Sequence, residues 1–256
     1  MATKSKKTNA KFGWIPDRPD HRDLLYSVVA APPKNLPAKT DLSTLCSPVE
    51  DQGQLGSCTA NALVGNLEFL CKKASGSAPD YSRLFIYFNE RDIEGTINED
   101  SGAMIRDGVK SLVKLGACTE KLWPYKIKKF AAKPPAKCYQ EANKHKVTSY
   151  HRIIGLQQMR QCLAEGYPFV FGFSVYESFE SPEMAKSGHL SFPTPDERQL
   201  GGHAVMAVGY DDQAKTMLIR NSWGPDWGIN GYFTMPYDYI NNHNLADDFW
   251  TLRAFQ

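Results

Sequence analysis

Apolar positions recur at helical spacing in the first half of the chain and at strand spacing in the second. The run Ala62-Leu63-Val64, Leu67 and Phe69-Leu70 predicts a buried helix over 58–73. Residues 82–93 (SRLFIYFNERDI) keep the helical period, with Tyr81-Ser82 as a start signal. Residues 103–115 repeat it and stop at Gly116. Further on, short apolar runs split by Gly, Asn and Asp predict strands at 147–154, 168–176, 203–210, 216–220, 231–235 and 249–254. A short helix is expected at 156–165 and a loop-rich stretch at 177–200. A helical half followed by a β half predicts an α+β protein of two lobes, about 50–145 and about 146–256.

The ends of this pattern are less regular. Residues 1–10 read as a polar tail. Prolines at 16, 19, 32 and 33 exclude a long helix in the next segment, yet Trp14, Ile15, Leu24, Leu25 and Tyr26 need burial. Residues 11–35 are therefore expected to form an extended strap on the folded body. Residues 124–145 are rich in Lys and Pro and predict an exposed connection. Seven lysines face one acid, Glu141, between 126 and 146. Arginines and interleaved aromatics are lacking there, so a solvated face is expected rather than an anionic partner.

Composition narrows the class without changing this picture. A chain of 256 residues with 42% hydrophobic and 23% charged residues has the make-up of an ordinary globular protein. A net charge of +2 implies no polyanion partner, so nucleic acid is not expected. No apolar run approaches the roughly 20 residues that span a membrane, and no secretory signal is visible. The expected location is the cytoplasm, or outside the cell by another route. The cysteines at 46, 58, 71, 118, 138 and 162 have no metal-ligand spacing and are too sparse for a disulfide scaffold, so mostly free thiols and no metal or cofactor are expected.

One cysteine stands apart. Cys58 opens the apolar helix, where unpaired N–H groups and the positive end of the helix dipole favour thiolate. Gln52 could aim an amide at the same point. A cysteine nucleophile needs a base, and the base needs an orienting group. His203 follows Gly201-Gly202 at the head of an apolar strand, and Asn221 ends another. Asn221 could hold the imidazole while Trp223 shields their hydrogen bond from water.

DQGQLGSCTANA, GGHAVMAVGYD and RNSWGPDWGINGYF, in that order, resemble the signature blocks of the papain-like cysteine peptidases. Cys58 precedes His203 by 145 positions and Asn221 by 163. The resemblance runs from about Leu36-Pro37 to Phe255, which makes residues 36–256 a papain-like domain. It implies a helical lobe and a β-barrel-like lobe with the active-site cleft between them. By resemblance Cys58 is the nucleophile, His203 the general base and then acid, and Asn221 its orienting group. Gln52 and the Cys58 N–H then form the oxyanion hole. A Cys58–His203 ion pair is expected on the same grounds. Asp100-Ser101-Gly102-Ala103-Met104 resembles the segment that pairs with substrate, with Gly102 and Met104 beside the pocket for the residue preceding the scissile one. Gly172, Gly201, Gly202, Ala204 and Trp223 are further substrate-binding candidates. The apolar lining suggests an apolar side chain there.

The resemblance implies a monomeric thiol peptidase acting on peptides or proteins, with endo- or exo-action open. A non-catalytic binding module on the same scaffold, or a thiol acyltransferase such as a transglutaminase or deamidase, are the competing readings. Leu55 stands where the family usually has a cysteine, and its usual partner falls near Glu99; one disulfide is thus missing whole. Thr59 replaces the usual aromatic after the nucleophile. The strap before Leu36 is expected to pack away from the cleft; the alternative is a short pro-segment lying along it.

Overall fold

The computed structural model describes residues 11–30 and 35–256. The expected tail over 1–10 and Ala31-Pro32-Pro33 lie outside the described residues.

Three long helices form as the apolar periodicity predicts. Helix α1 runs Cys58–Ser75 and ends at Gly76, whose φ of 80° needs no Cβ. Helix α2 (Arg83–Glu94) is capped by Ser82, whose side chain accepts the Phe85 N–H at 3.1 Å. Helix α3 runs Ile105–Lys114. The Lys- and Pro-rich stretch is not wholly exposed. It contains α4 (Ala136–Ala142), which buries Cys138 and Ala142. Helix α5 is Gly155–Ala164, and the loop-rich stretch carries a short helix, α6 (Pro182–Ser187). A last turn, α7, spans Tyr237–Ile240.

The strands are β1 (Lys39–Asp41), β2 (Val147–Arg152), β3 (Phe169–Tyr176), β4 (Gln199–Asp211), β5 (Thr216–Arg220), β6 (Tyr232–Pro236) and β7 (Ala246–Phe255). Six follow the order β2-β7-β3-β4-β5-β6, and β1 joins β4. The β lobe is therefore an antiparallel sheet that does not close into a barrel: β2 and β6 end the path without pairing with each other. The α+β class stands, and the barrel-like closure does not.

Side-chain alternation along the sheet divides the core in two. On one face Val170, Ala204, Met206, Val208, Trp250 and Leu252 pack with Leu63, Leu67, Phe85, Val109 and Leu112 of α1–α3. On the other, Phe169, Phe171, Phe173, Val205, Ala207 and Ile219 pack with Met159, Leu163, Phe233 and Tyr239. Helix α1 thus lies buried between the other helices and the sheet, with 14 of its 18 residues buried. That placement brings its N-terminus to β4. The β4 strand begins four residues earlier than its apolar run, because Gly201, Gly202 and His203 pair with Val175, Ser174 and Phe173 of β3.

Candidate active site

Cys58 is the first residue of α1 and is fully buried. The loop before it is tied down from several sides. Gln52 N–H donates to Ser222 O at 2.9 Å, and the Tyr125 hydroxyl donates to Gln52 O at 2.9 Å. Asn61, one turn into the helix, donates to Ser57 O at 2.9 Å. Behind Cys58, Thr59 donates its hydroxyl to Glu90 at 2.9 Å. Glu90 is fully buried, and burial raises its pKa well above the carboxylate range.

The histidine and asparagine meet as the sequence suggests. His203 Nε2 lies 2.8 Å from Asn221 Oδ1. The same oxygen accepts the Ser222 N–H at 2.8 Å, which fixes how the amide is turned. An oxygen that only accepts requires Nε2 to carry the proton, so Nδ1 presents a lone pair. Nδ1 is buried without a hydrogen-bond partner. Trp223 lies 5.0 Å from the imidazole, ring to ring, and Phe173 and Phe179 flank it at 5.8 and 6.3 Å. Ala204, the residue after His203, aims its backbone N–H at the Cys58 sulfur.

Gln52 is fully buried and uses every polar atom of its side chain. Its Oε1 accepts the Ser222 hydroxyl at 2.7 Å, and Nε2 donates to Leu55 O at 2.9 Å. The second Nε2 proton is directed to Lys11 O at 3.0 Å. Ser222 therefore braces Gln52 with its side chain and Asn221 with its backbone. Sequence reasoning passed over it, although it stands next to Asn221.

The strap lies along this site, which corrects the expectation that it packs away. Gly13 N–H and Trp14 N–H both donate to Gly202 O, at 3.1 and 2.9 Å. Gly13 O accepts the Ala103 N–H at 2.8 Å, and Ile15 N–H donates to Ala103 O at 3.0 Å. The strap thus runs parallel to the 102–104 segment. The fit depends on glycine. A Cβ on Gly13 would lie 1.9 Å from Gly56 O, and one on Gly102 would lie 2.1 Å from Gly13 O. Gly172 and Gly202 make the slot for the Trp14 indole, since a Cβ there would come within 1.9 and 2.7 Å of it. Gly201 touches Phe12, whose ring is 6.3 Å from Trp223. Met104 is placed differently: its N–H donates to Glu94 at 2.7 Å at the head of α3.

The strap is anchored beyond the cleft by charge and burial. Trp14 Nε1 and the Asp17 N–H both donate to Asp248 Oδ2, at 3.0 and 2.7 Å. Trp250 Nε1 donates to Asp17 at 2.9 Å. Arg106 grips Asp23 with two bonds of 2.8 and 2.6 Å, and Arg152 adds a third at 2.9 Å. Tyr26 is fully buried on the far face of the sheet. The slot that takes Trp14 is therefore not purely apolar, because a buried carboxylate closes its far end. Burial, then the charge of Asp17, push the Asp248 pKa up to about 7.

Under this cover burial disfavours the charged form of both the sulfur and the imidazole. Burial pushes the Cys58 thiol up to about 12, against the pull of the Ala204 and Gly13 N–H groups. Burial brings His203 down to about 4, against the Asn221 bond. The expected ion pair is disfavoured in the strap-covered site, because water that would stabilise both charges is excluded. All six cysteines are free and buried.

The site thus gathers a buried thiol at a helix N-terminus, an imidazole held by an asparagine and a buried amide donor. The comparisons with known proteins give its class, that of the cysteine peptidases. The profile described as papain family cysteine protease matches residues 33–251. An uncharacterized peptidase C1-like protein of Acanthamoeba polyphaga mimivirus is 41% identical over 94% of this chain and 86% of its own length. The crystal structure of xylellain, a cysteine protease from Xylella fastidiosa, superposes with a TM-score of 0.88 at 43% identity, covering 100% of both chains. Digestive procathepsin L2 from Tenebrio molitor shares the fold, with a TM-score of 0.75 at 21% identity over 98% of this chain and 80% of its own. The chain belongs to the papain family of cysteine proteases. Among the described residues no helix is long and apolar enough to cross a membrane.

Proposed function

We propose that this cysteine peptidase hydrolyses peptide bonds through an acyl-enzyme on Cys58 and that the strap holds it latent. The observation that carries the reading is the shared use of Gln52: the amide proton free to stabilise an oxyanion is directed at Lys11 O. With the strap displaced, substrate places its scissile carbonyl there instead. His203 Nδ1 takes the thiol proton, the sulfur adds to the carbonyl carbon, and Gln52 Nε2 with the Cys58 N–H holds the oxyanion. The imidazolium then protonates the leaving amine, and water, deprotonated by His203, releases the acid. Asn221 keeps the ring turned toward the sulfur throughout. Gly102, Gly202, Ala204 and Trp223 form the cleft wall, with Met104 at its edge.

The strap chain runs parallel to residues 102–104 and buries both reacting groups, which supports a short pro-segment over permanent packing elsewhere. The test is hydrolysis of fluorogenic peptides. Cys58→Ala and His203→Ala are expected to abolish it, Asn221→Ala to weaken it less, and Gln52→Ala to cost about 10²–10³ in kcat. Retained hydrolysis in Cys58→Ala refutes the role of the sulfur.

A further inference from the structure

Arg83 is a buried cation in an unfavourable place. It is the first residue of α2, where the helix dipole disfavours positive charge, and no acid stands in that first turn. Its guanidinium reaches the loop before Cys58 instead. Nη2 pairs with Glu50 at 3.1 Å. Nη1 donates to Asn61 Oδ1 at 3.2 Å and to Asp51 O at 3.4 Å. The guanidinium carbon lies 4.1 Å from the centre of the Tyr125 ring, a cation–π contact. These partners are the supports of the two groups that would hold an oxyanion. The Asp51 carbonyl shares a peptide plane with the Gln52 N–H, and the Tyr125 hydroxyl donates to Gln52 O at 2.9 Å. Asn61 Nδ2 donates to Ser57 O at 2.9 Å and to Ser57 Oγ at 3.1 Å, and that hydroxyl lies 2.6 Å from the Tyr125 hydroxyl. The Ser57 carbonyl shares its plane with the Cys58 N–H, so fixing the one aims the other.

We propose that Arg83 is a positioning residue that aligns both donors of the oxyanion hole: Gln52 through Tyr125 and the Asp51 carbonyl, and the Cys58 N–H through Asn61 and the Ser57 peptide. This rests on the peptidase reading above. A guanidinium suits the task, because its planar fork serves Glu50 and Asn61 in different directions while its face covers Tyr125. A lysine ammonium could keep the charge but not all three contacts. A cation set against its own helix dipole is the kind of local conflict that functional sites carry.

Two reactions of the same thiol separate this role from folding and from strap opening. Hydrolysis of a fluorogenic peptide passes through an oxyanion. Exchange with dipyridyl disulfide does not: the Cys58 sulfur bonds to one reagent sulfur, the reagent S–S bond breaks, and pyridinethione leaves with the thiol proton. Both rates are measured on the full chain in wild type, Arg83→Met and Arg83→Lys, with Cys58→Ala as the blank. The fraction of molecules with an open cleft scales both rates alike, so their ratio is readable with the strap in place. The ratio of peptide kcat/KM to exchange rate is expected to fall about 10- to 30-fold in Arg83→Met and about threefold in Arg83→Lys, less than the loss of about 10²–10³ when an oxyanion donor is removed outright. A folded Arg83→Met protein whose ratio stays within twofold of the wild type would overturn the proposal. So would an equal fall in both rates, which would make Arg83 a brace for the fold alone. Where Arg83→Met does not fold, Arg83→Lys decides: a lowered ratio supports the proposal and an unchanged one overturns it. If wild-type hydrolysis proves independent of Cys58, the peptidase reading itself fails and this proposal falls with it.

Discussion

Gly13→Ala adds one methyl group to the strap and touches no group that does chemistry. The added Cβ would lie 1.9 Å from Gly56 O, with Gly56 carbon atoms at 2.5 and 2.8 Å. These are backbone atoms in the loop that positions Cys58, so neither side can yield by a rotamer change. Overpacking of this kind costs about 1–3 kcal/mol where side chains can adjust, and more where two backbones meet. Relief requires the strap to lift, which breaks the four backbone bonds around Gly13, Trp14 and Ile15. Each contributes about 0.5–1.5 kcal/mol. Those bonds oppose opening in wild type and variant alike, so the shift is the overpacking cost on the closed form; taken as about 3 kcal/mol, it multiplies the open-to-closed ratio by about 150. In the full chain, kcat/KM for a fluorogenic peptide should rise by about 10- to 150-fold, the ceiling being a fully open population. Thermal unfolding followed in parallel checks that the domain stays folded. A folded Gly13→Ala protein whose kcat/KM stays within twofold of the wild type would refute the account of the strap.

Two further perturbations read the site's supports. Asp248 has its pKa raised to about 7 while the strap is seated; without Asp17 and with water admitted it returns toward the ordinary aspartate value of about 3.9. The closed form therefore binds the extra proton. That contribution to strap seating is complete below about pH 4 and is lost as pH rises through 7. His203, lowered to about 4 when covered, works the other way below about pH 6.5. Between about pH 6.5 and 8 the half-buried Glu94, also raised to about 7 by burial and in part by Asp107 and Asp17, titrates beside Asp248, so only the difference between wild type and Asp248→Asn reads Asp248. Strap release, followed by limited proteolysis after residue 11, should increase across that window in the wild type and increase less in Asp248→Asn; parallel curves would contradict it. Ser222→Ala removes the donor to Gln52 Oε1 and leaves a buried acceptor unpaired, at a cost of about 1–3 kcal/mol. A fall in kcat of about tenfold with KM little changed is expected, and an unchanged kcat would remove Ser222 from the site's support.

The limits of the sequence reading follow from range. Helices α1–α3 and the main strands came from local periodicity, and Cys58, His203 and Asn221 from motifs beside it. Helix α4 was hidden because lysines and prolines mask the two positions, Cys138 and Ala142, that it buries. The first four residues of β4 were hidden because Gly201 and Gly202 weaken a strand signal and are paired only through β3. The strap's route was not legible at all. It depends on meetings across the whole chain, such as Trp14 with Asp248 and Gly13 with Gly56, that no local pattern records. The missing cysteines at Leu55 and near Glu99 were visible. What holds that corner instead, the Asp100 carboxylate between the Tyr87 hydroxyl and the Gly56 N–H, required coordinates. The ion pair is disfavoured here for a physical reason: the motif describes an open site, while the strap dehydrates this one.

The central claim is a latent thiol nucleophile, and the rate of covalent labelling at Cys58 tests it most directly. Wild type and Gly13→Ala are each treated with a peptidyl epoxide, and the adduct is located by peptide mass spectrometry. The account predicts a single adduct on Cys58 in both proteins, forming at least tenfold faster in Gly13→Ala. Equal rates, or modification of the other cysteines in place of Cys58, would contradict it.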